Sequence, residues 1–500
     1  MEEYSITDLQ RLFQTGKLTS EGLVTQYIER IEEIDKKGPA VNAILELNPD
    51  ALSIAKQLDE ERQNGKIRGP FHGIPVILKD NIDTGDQMMT TAGSLALFNH
   101  CASKDAFIVG NLRKAGAVIL GKANLSEWAN FRSTHSSSGW SSRGGQTKNP
   151  YVLDRSPCGS SAGSAVAVAT NMCTVAIGTE TNGSIICPAH INSIVGLKPS
   201  IGLLSRSGII PIAHSQDTAG PMGRSVEDVA ILLGALVGQN PLDPADPSTL
   251  EPKNEYLTDY TKHLKIDALE GKRIGVARNL FEIHHKAAPF MESMIKKMEH
   301  LGAIMVDPAD IEFPKEVEEA EFLVLLYEFK ADLNRYLAWI PRSIPIHSLS
   351  ELIAYNSTHK AKVMPYFNQE ILKMANEKDT LDAEEYQTAL RKCKEIAQDH
   401  GIDATLVIHD LDAIVAPTAS PAWPIDHING DHHTGSSTSP AAIAGYPSIT
   451  IPMGYVFDLP VGISFIGKKF TEGKLLGLAY ALEQATKVRK PPRFLPTVAK

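Results

Sequence analysis

The sequence predicts a layered α/β fold, and three stretches predict it. The first runs Gly73-Ile74-Pro75-Val76-Ile77-Leu78, a short apolar strand ending in polar Lys79-Asp80-Asn81. Residues 105–115 follow, with Phe107, Ile108 and Leu112 on one helical face, and Ala117-Val118-Ile119-Leu120 returns to a strand. The second stretch, residues 164–178, is small and apolar but broken by Thr170, Asn171 and Thr174, so it reads as a buried helix leading into a strand. The third is the pair Ala413-Ile414-Val415-Ala416-Pro417 and Pro447-Ser448-Ile449-Thr450-Ile451-Pro452, where strand texture resumes.

The elements around these follow in chain order. Residues 19–34 carry Leu23, Val24, Tyr27, Ile31 and Ile34 at helical spacing. Asp50 is placed to cap a helix with Ala51, Ile54, Ala55 and Leu58 on one face. Both helices read as a packing layer. Residues 133–163 are rich in Ser and Gly, with Pro150 and Pro157, and read as a long functional loop. Residues 236–400 are more charged and more helical. Asp243-Pro244-Ala245-Asp246-Pro247 marks a surface turn there, and residues 291–301 and 316–333 read as amphipathic helices.

Composition narrows the function classes. Of 500 residues, 43% are apolar and 22% charged, which suffices for a large core, and the net charge of −10 disfavours nucleic acid as the main partner. No apolar run reaches the length of a spanning helix, and the acidic start Met1-Glu2-Glu3 is unlike a signal peptide, so a cytoplasmic protein without membrane partners is expected. Five cysteines (Cys101, Cys158, Cys173, Cys187 and Cys393) are odd in number, scattered, and without a C-x-x-C pair. Free thiols in a reducing compartment are the expectation, not a disulfide framework or a zinc site.

The densest chemical signal is a pair of Ser/Gly turns, Cys158-Gly159-Ser160-Ser161-Ala162-Gly163-Ser164 and Gly178-Thr179-Glu180-Thr181-Asn182-Gly183-Ser184. Glycine lets backbone N–H groups approach a ligand, and a serine on such a turn can project a hydroxyl beside amides that hold an oxyanion. Gly159-Ser160-Ser161-Ala162-Gly163 also fits G-x-S-x-G, but Asp154-Arg155-Ser156-Pro157 before it is a poor strand, which argues against Ser161 as the nucleophile of an elbow. The G-x-x-x-x-G-K of residues 116–122 has Ala123 where a magnesium-binding hydroxyl belongs. Asp426-His427 and Asp431-His432-His433 match no standard zinc spacing, and no metal is expected there.

These segments resemble the amidase signature family. Lys79 in Gly73-Ile74-Pro75-Val76-Ile77-Leu78-Lys79-Asp80-Asn81 matches the catalytic lysine motif. Thr90-Thr91-Ala92-Gly93-Ser94, Ala115-Gly116-Ala117, Gly121-Lys122-Ala123-Asn124 and Glu127 follow as in relatives. Ser160 falls on the bridging serine, which in relatives carries a cis peptide, and Ser184 on the nucleophile. Gly196-Leu197-Lys198-Pro199 and Asp217-Thr218-Ala219-Gly220-Pro221-Met222 complete a match over residues 20–235 that resumes at 410–488.

The resemblance implies one large α/β/α domain around a mixed sheet. Its parts are an N-terminal helical layer (1–65), a signature core (66–235), a helical covering region (236–405) and a C-terminal part of the core (406–500). It implies an amidase in which Ser184 attacks, Ser160 relays the proton, and neutral Lys79 is the base. Backbone N–H groups of Thr181, Asn182, Gly183 and Ser184 would form the oxyanion hole. An acyl-enzyme forms on Ser184 and ammonia or an amine leaves, with no metal or organic cofactor. A lysine neutral near pH 7 needs its pKa lowered from about 10.4, which burial can do.

Cys158, Ala162 and Asn182 stand where many relatives have glycine, and Ile186 where many, including the amidotransferase subunit that serves glutamyl-tRNA, have arginine. The text Glu180-Thr181-Asn182-Gly183-Ser184-Ile185-Ile186-Cys187-Pro188, with Ser207-Gly208-Ile209-Ile210-Pro211-Ile212, is similar to the peptide amidase branch, which removes ammonia from C-terminal peptide amides. The partner is then a small-molecule or peptide amide. Thr134 and Ser136 are the substrate-binding candidates. His135 and Trp140 either line the same cleft or belong to a loop packed on itself. The alternatives carried forward are an amidotransferase-type subunit feeding ammonia to a complex, and a silent binding protein that keeps the fold.

Overall fold

The computed structural model describes residues 1–241 and 257–498, so the turn expected at 243–247 lies outside the described residues. Thirteen strands are described: β1 (Ile44–Leu47), β2 (Pro75–Lys79), β3 (Val118–Ala123), β4 (Trp140–Ser141), β5 (Gly145–Gln146), β6 (Val175–Glu180), β7 (Val195–Lys198), β8 (Thr218–Gly223), β9 (Arg273–Val276), β10 (Ile304–Val306), β11 (Ala413–Pro417), β12 (Ser448–Val456) and β13 (Leu459–Ile466). Eleven of them form one mixed sheet in the order β1-β3-β2-β6-β8-β7-β12-β13-β11-β9-β10, while β4 and β5 pair as a separate hairpin. The strands expected at 73–78, 117–120, 413–417 and 447–452 are all present. The middle of the chain contributes more than helices: β9 and β10 extend the sheet beside β11.

The site depends on the parallel neighbours β2, β3 and β6. Val76, Ile77 and Leu78 pair with Val175, Ala176 and Ile177, so Lys79 and Thr179 emerge at the same sheet edge. Parallel strands covered on both faces are apolar throughout, and β2, β3 and β6 are buried at every position. The small apolar segment becomes helix Ala162–Ala169, all eight residues buried, packed on the sheet. Its small side chains are needed because the backbone comes close: a Cβ on Gly163 would collide with the carbonyls of Ala43 and Asn124.

The N-terminal layer forms as Ser20–Arg30 and Ala51–Gln63. Asp50 sits at the cap position of the latter, but its side chain bonds no helix N–H; it accepts from Gln87 Nε2 at 3.1 Å. The helices expected at 105–115, 291–301 and 316–333 form as Phe107–Lys114, Ala288–His300 and Glu316–Leu337. Glu316–Leu337 is not simply amphipathic. It buries Glu321, Glu328 and Asp332 along with its apolar residues, and these carboxylates hold the 212–217 loop under the sheet edge. Glu328 accepts from Ser215 N (2.8 Å) and Asp332 from His214 N (3.0 Å). His214 lies between the same two carboxylates, with Nδ1 at Asp332 and Nε2 at Glu328, so each acid addresses a different ring nitrogen.

Candidate active site

Lys79 is the last residue of β2 and is fully buried. Its Nζ lies 2.7 Å from Ser160 Oγ, 2.8 Å from Thr179 Oγ1 and 3.1 Å from the Thr179 carbonyl. Burial lowers its pKa from 10.5 to about 7, against the opposing pull of Asp217 and Glu180. A neutral amine has two hydrogens and one lone pair. Thr179 can take both hydrogens, on its carbonyl and its hydroxyl, which leaves the lone pair for the Ser160 hydroxyl. Asn81 Nδ2 donates to the same Thr179 hydroxyl at 3.0 Å and holds it in place.

Ser160 is reached through a cis peptide from Gly159 and is fully buried. Its neighbour Ser161 is tied to β6 at both ends, donating to Thr179 O (3.1 Å) and accepting from Thr179 N (3.2 Å). With its hydroxyl committed this way, Ser161 is a structural residue, and the elbow reading fails on geometry as well as on the missing strand. The Ser161 N–H donates to the Ser184 carbonyl (3.1 Å), which brings the two Ser/Gly turns together. The Ser184 hydroxyl has no hydrogen-bond partner among the described residues. Ser184 as a whole is buried, at 8% exposure.

The turn from Thr181 to Ser184 is held from below. Glu180 Oε2 accepts from Ile185 N (2.7 Å) and Ile186 N (3.0 Å). Asp217 accepts from the Thr181 hydroxyl (2.6 Å) and from Ile212 N and Ala213 N, and burial pushes its pKa up to about 6. Gly183 adopts φ +80°, open to glycine at little cost. The N–H groups of Thr181, Asn182, Gly183 and Ser184 donate to no acceptor among the described residues. Four consecutive free N–H groups beside a free serine hydroxyl can bind a negatively charged oxygen.

Cys158 and Cys187 are joined in a disulfide, which corrects the expectation of free thiols; Cys101, Cys173 and Cys393 are free. The bridge links the residue two before Ser160 to the residue three after Ser184. The two cysteines lie 29 residues apart in sequence, and only the folding of both turns onto β6 brings them together. The free-thiol argument for a cytoplasmic location goes with this correction. No helix among the described residues is long and apolar enough to cross a membrane.

A cavity of about 350 Å³ opens beside these turns, lined by Gly159, Asn182 and Gly183 and, farther out, by Thr134, Ser136 and Asp431. Thr134 and Ser136, the two substrate-binding candidates, both line this cavity. Trp140 does not: it packs edge-on to Phe367 and Tyr366 under the Arg132 guanidinium. His135 is exposed and does not line the cavity. The Asp/His loop folds on itself and on its neighbours. Asp426 caps its own turn at Ile428 N and Asn429 N, His427 stacks on Tyr366, and His433 meets Trp423 edge-on. Sequence reasoning assigned no role to Thr179, Glu180 or Asp217, although all three lie in or beside the motifs it singled out.

A family model described as Amidase matches residues 22–476. The chain belongs to the amidase signature family. It is 41% identical to a probable amidase of Arabidopsis thaliana, over 99% of this chain and 92% of that protein. It is 34% identical to a glutamyl-tRNA(Gln) amidotransferase subunit of Caldanaerobacter subterraneus, over 99% of each. Among solved structures it is similar to the native peptide amidase of Stenotrophomonas maltophilia, at 49% identity and TM-score 0.93, covering 98% of this chain and 99% of that one. The protein is therefore an amide-hydrolysing enzyme of this family, with the mixed-sheet fold that the family implies.

Proposed function

We propose that this amidase works through Ser184, Ser160 and Lys79 and releases ammonia from C-terminal peptide amides. The observation that carries the mechanism is the 2.7 Å contact between Lys79 Nζ and Ser160 Oγ, with Lys79 buried and its other contacts taken by Thr179. Ser184 Oγ attacks the amide carbon and passes its proton to Ser160 Oγ as Ser160 gives its own to Lys79. The carbonyl oxygen becomes an oxyanion held by the N–H groups of residues 181–184. The same chain of protons runs back to the leaving nitrogen, ammonia departs, and the acyl group stays on Ser184. Water then repeats the sequence to free the acid. Thr134 and Ser136 hold the acyl half of the substrate.

The whole chain acts as one domain in this reading. What supports it is that residues 1–65, 66–235, 236–405 and 406–500 each supply at least one strand to the eleven-stranded sheet. The peptide-amide substrate is supported by the likeness to the Stenotrophomonas enzyme along nearly the full length of both chains.

The test is ammonia release by the purified chain from a C-terminal peptide amide, beside a fatty amide, a short aliphatic amide and glutamine. Preference for the peptide amide, abolished in Ser184→Ala, is expected. Preference for another amide would overturn the substrate, and silence on all four would point to the partner-dependent amidotransferase or to the silent binding protein.

A further inference from the structure

The cavity outside the serine turns has an uneven hydrogen-bonding character. Ser133 Oγ (2.6 Å) and Thr134 Oγ1 (2.9 Å) both donate to Glu370 Oε1. Burial would raise the Glu370 pKa, but the Ser133 and Thr134 hydrogen bonds hold it below its ordinary value, so it can only accept. Ser136 Oγ donates to Ser133 O at 2.9 Å. Thr438 Oγ1 donates to Asn182 Oδ1 at 2.9 Å, which leaves Ser436 to donate to Thr438. The hydrogens of these five hydroxyls are therefore spent inside the protein, and what they have left to offer is lone pairs.

The charges point the same way. Asp431 lines this cavity; its Oδ2 accepts from Ser138 N (2.9 Å), and its Oδ1 has no partner among the described residues. No lysine or arginine lines the cavity. Burial lowers the pKa of His433, the one histidine in its wall, against the pull of Asp431, so this imidazole brings no positive charge at neutral pH. Behind the wall stand two more acids, Glu370 and Glu321, the latter accepting from Asn182 Nδ2 at 2.9 Å. The side-chain donors left in the wall, the Asn130 amide, the Ser138 hydroxyl, the N–H of the neutral His433 ring and the buried Trp423 indole, are all uncharged.

We propose that this cleft selects amides whose acyl half carries no negative charge, with Asp431 as the residue that enforces the charge rule. The proposal rests on the reading of this cavity as the substrate cleft. Peptidyl amides with neutral or cationic residues fit it, and acyl groups bearing a carboxylate do not. A carboxylate entering the cleft meets Asp431 at short range in a partly desolvated space, with no cation to offset the repulsion.

The experiment uses one dipeptide amide, Ala-Phe-NH2, with three N-termini: free amine, acetyl and succinyl. In the native chain kcat/KM for the succinyl amide should fall about tenfold below the acetyl amide, mainly through KM, and the free amine should do no worse than acetyl. Asp431→Asn keeps an oxygen for Ser138 N and should narrow the succinyl-to-acetyl gap to about threefold or less. Titrating the same three amides calorimetrically into Ser184→Ala reads the order without turnover. If binding follows charge while no amide is hydrolysed, the proposed reaction fails and the charge rule stands. Equal kcat/KM or equal binding for succinyl and acetyl amides would overturn the rule, as would a gap unchanged in Asp431→Asn or no binding of any amide.

Discussion

If Lys79 is the base, the pH dependence of catalysis should follow its titration. Burial places its pKa at about 7, so raising the pH from 6 to 8 increases the neutral fraction about tenfold. Keeping the ammonium out costs the differential stabilisation of a 10.5-to-7 shift, about 5 kcal/mol. The assay is kcat/KM for a neutral peptide amide from pH 5 to pH 9, with ammonia release as the signal. An ascending limb centred near 7 is expected. The informative perturbation is Asp217→Asn. The Asp217 carboxylate favours the Lys79 ammonium, so its removal should move the limb to lower pH while keeping its shape. Asp217 itself has a pKa raised to about 6 and is the obvious rival for the limb. If the limb vanished in Asp217→Asn, Asp217 would be the titrating group and the reasoning about Lys79 would be refuted. A profile flat from 6 to 8 in the native chain would refute it equally.

Four further outcomes are expected. Reducing the Cys158–Cys187 bridge with a dithiol, or replacing both cysteines by alanine, removes a closure of 29 residues worth about 3–4 kcal/mol on the chain-entropy model and frees the two serine turns; both the melting temperature and kcat should fall. Thr179→Val removes the hydroxyl that orients Lys79 Nζ and should lower kcat about tenfold to a hundredfold with KM little changed, the loss of one buried hydrogen bond at the base. Glu127→Ala strands the fully buried Arg132 guanidinium and should cost about 3–5 kcal/mol in denaturant unfolding. Lys79→Met removes a group whose folded pKa lies below its unfolded one. The unfolded chain binds the proton that the folded chain releases, so the native chain should gain stability over the variant by about 1.4 kcal/mol per pH unit between about 7 and 10.5, and neither above nor below that window.

The sequence made the β2, β3 and β6 region legible because its strands are buried on both faces and read as unbroken apolar runs ending in polar residues. The proposed catalytic positions came from motif resemblance alone; the structure adds the Lys79–Ser160 contact and the Ser161–Ser184 backbone bond, both made by turns distant in sequence. The disulfide was not legible. Its partners are far apart in sequence, and cysteine counting responds to number and spacing, neither of which marks a pair made by two turns meeting in space. β9 and β10 are only four and three residues long, too short for periodicity to separate them from loop among the helices around them. The role of Glu316–Leu337 was hidden because a helix with three buried carboxylates looks from its sequence like one with a wide polar face. Those acids have partners in burial: Glu328 and Asp332 accept from backbone N–H groups of the 212–217 loop, and Glu321 accepts from the side-chain amides of Gln216 and Asn182.

Three lysines in this sheet are fully buried, Lys79, Lys122 and Lys198, and burial lowers the pKa of each, that of Lys198 to about 8. A depressed pKa therefore does not by itself pick out the base. What separates them is what each ammonium or amine touches. Lys122 Nζ reaches the Ile82 carbonyl and the Thr90 hydroxyl, whose hydrogen is spent on that same carbonyl. Lys198 Nζ reaches the carbonyl of Pro199. Neither is offered a proton to take. Only Lys79 faces a hydroxyl, that of Ser160, with no other acceptor for its hydrogen among the described residues, and only Ser160 lies on a turn bonded to the one that carries Ser184. Burial makes all three lysines poor ammonium ions; in the mechanism we propose, the placement of one serine is what turns one of them into a base.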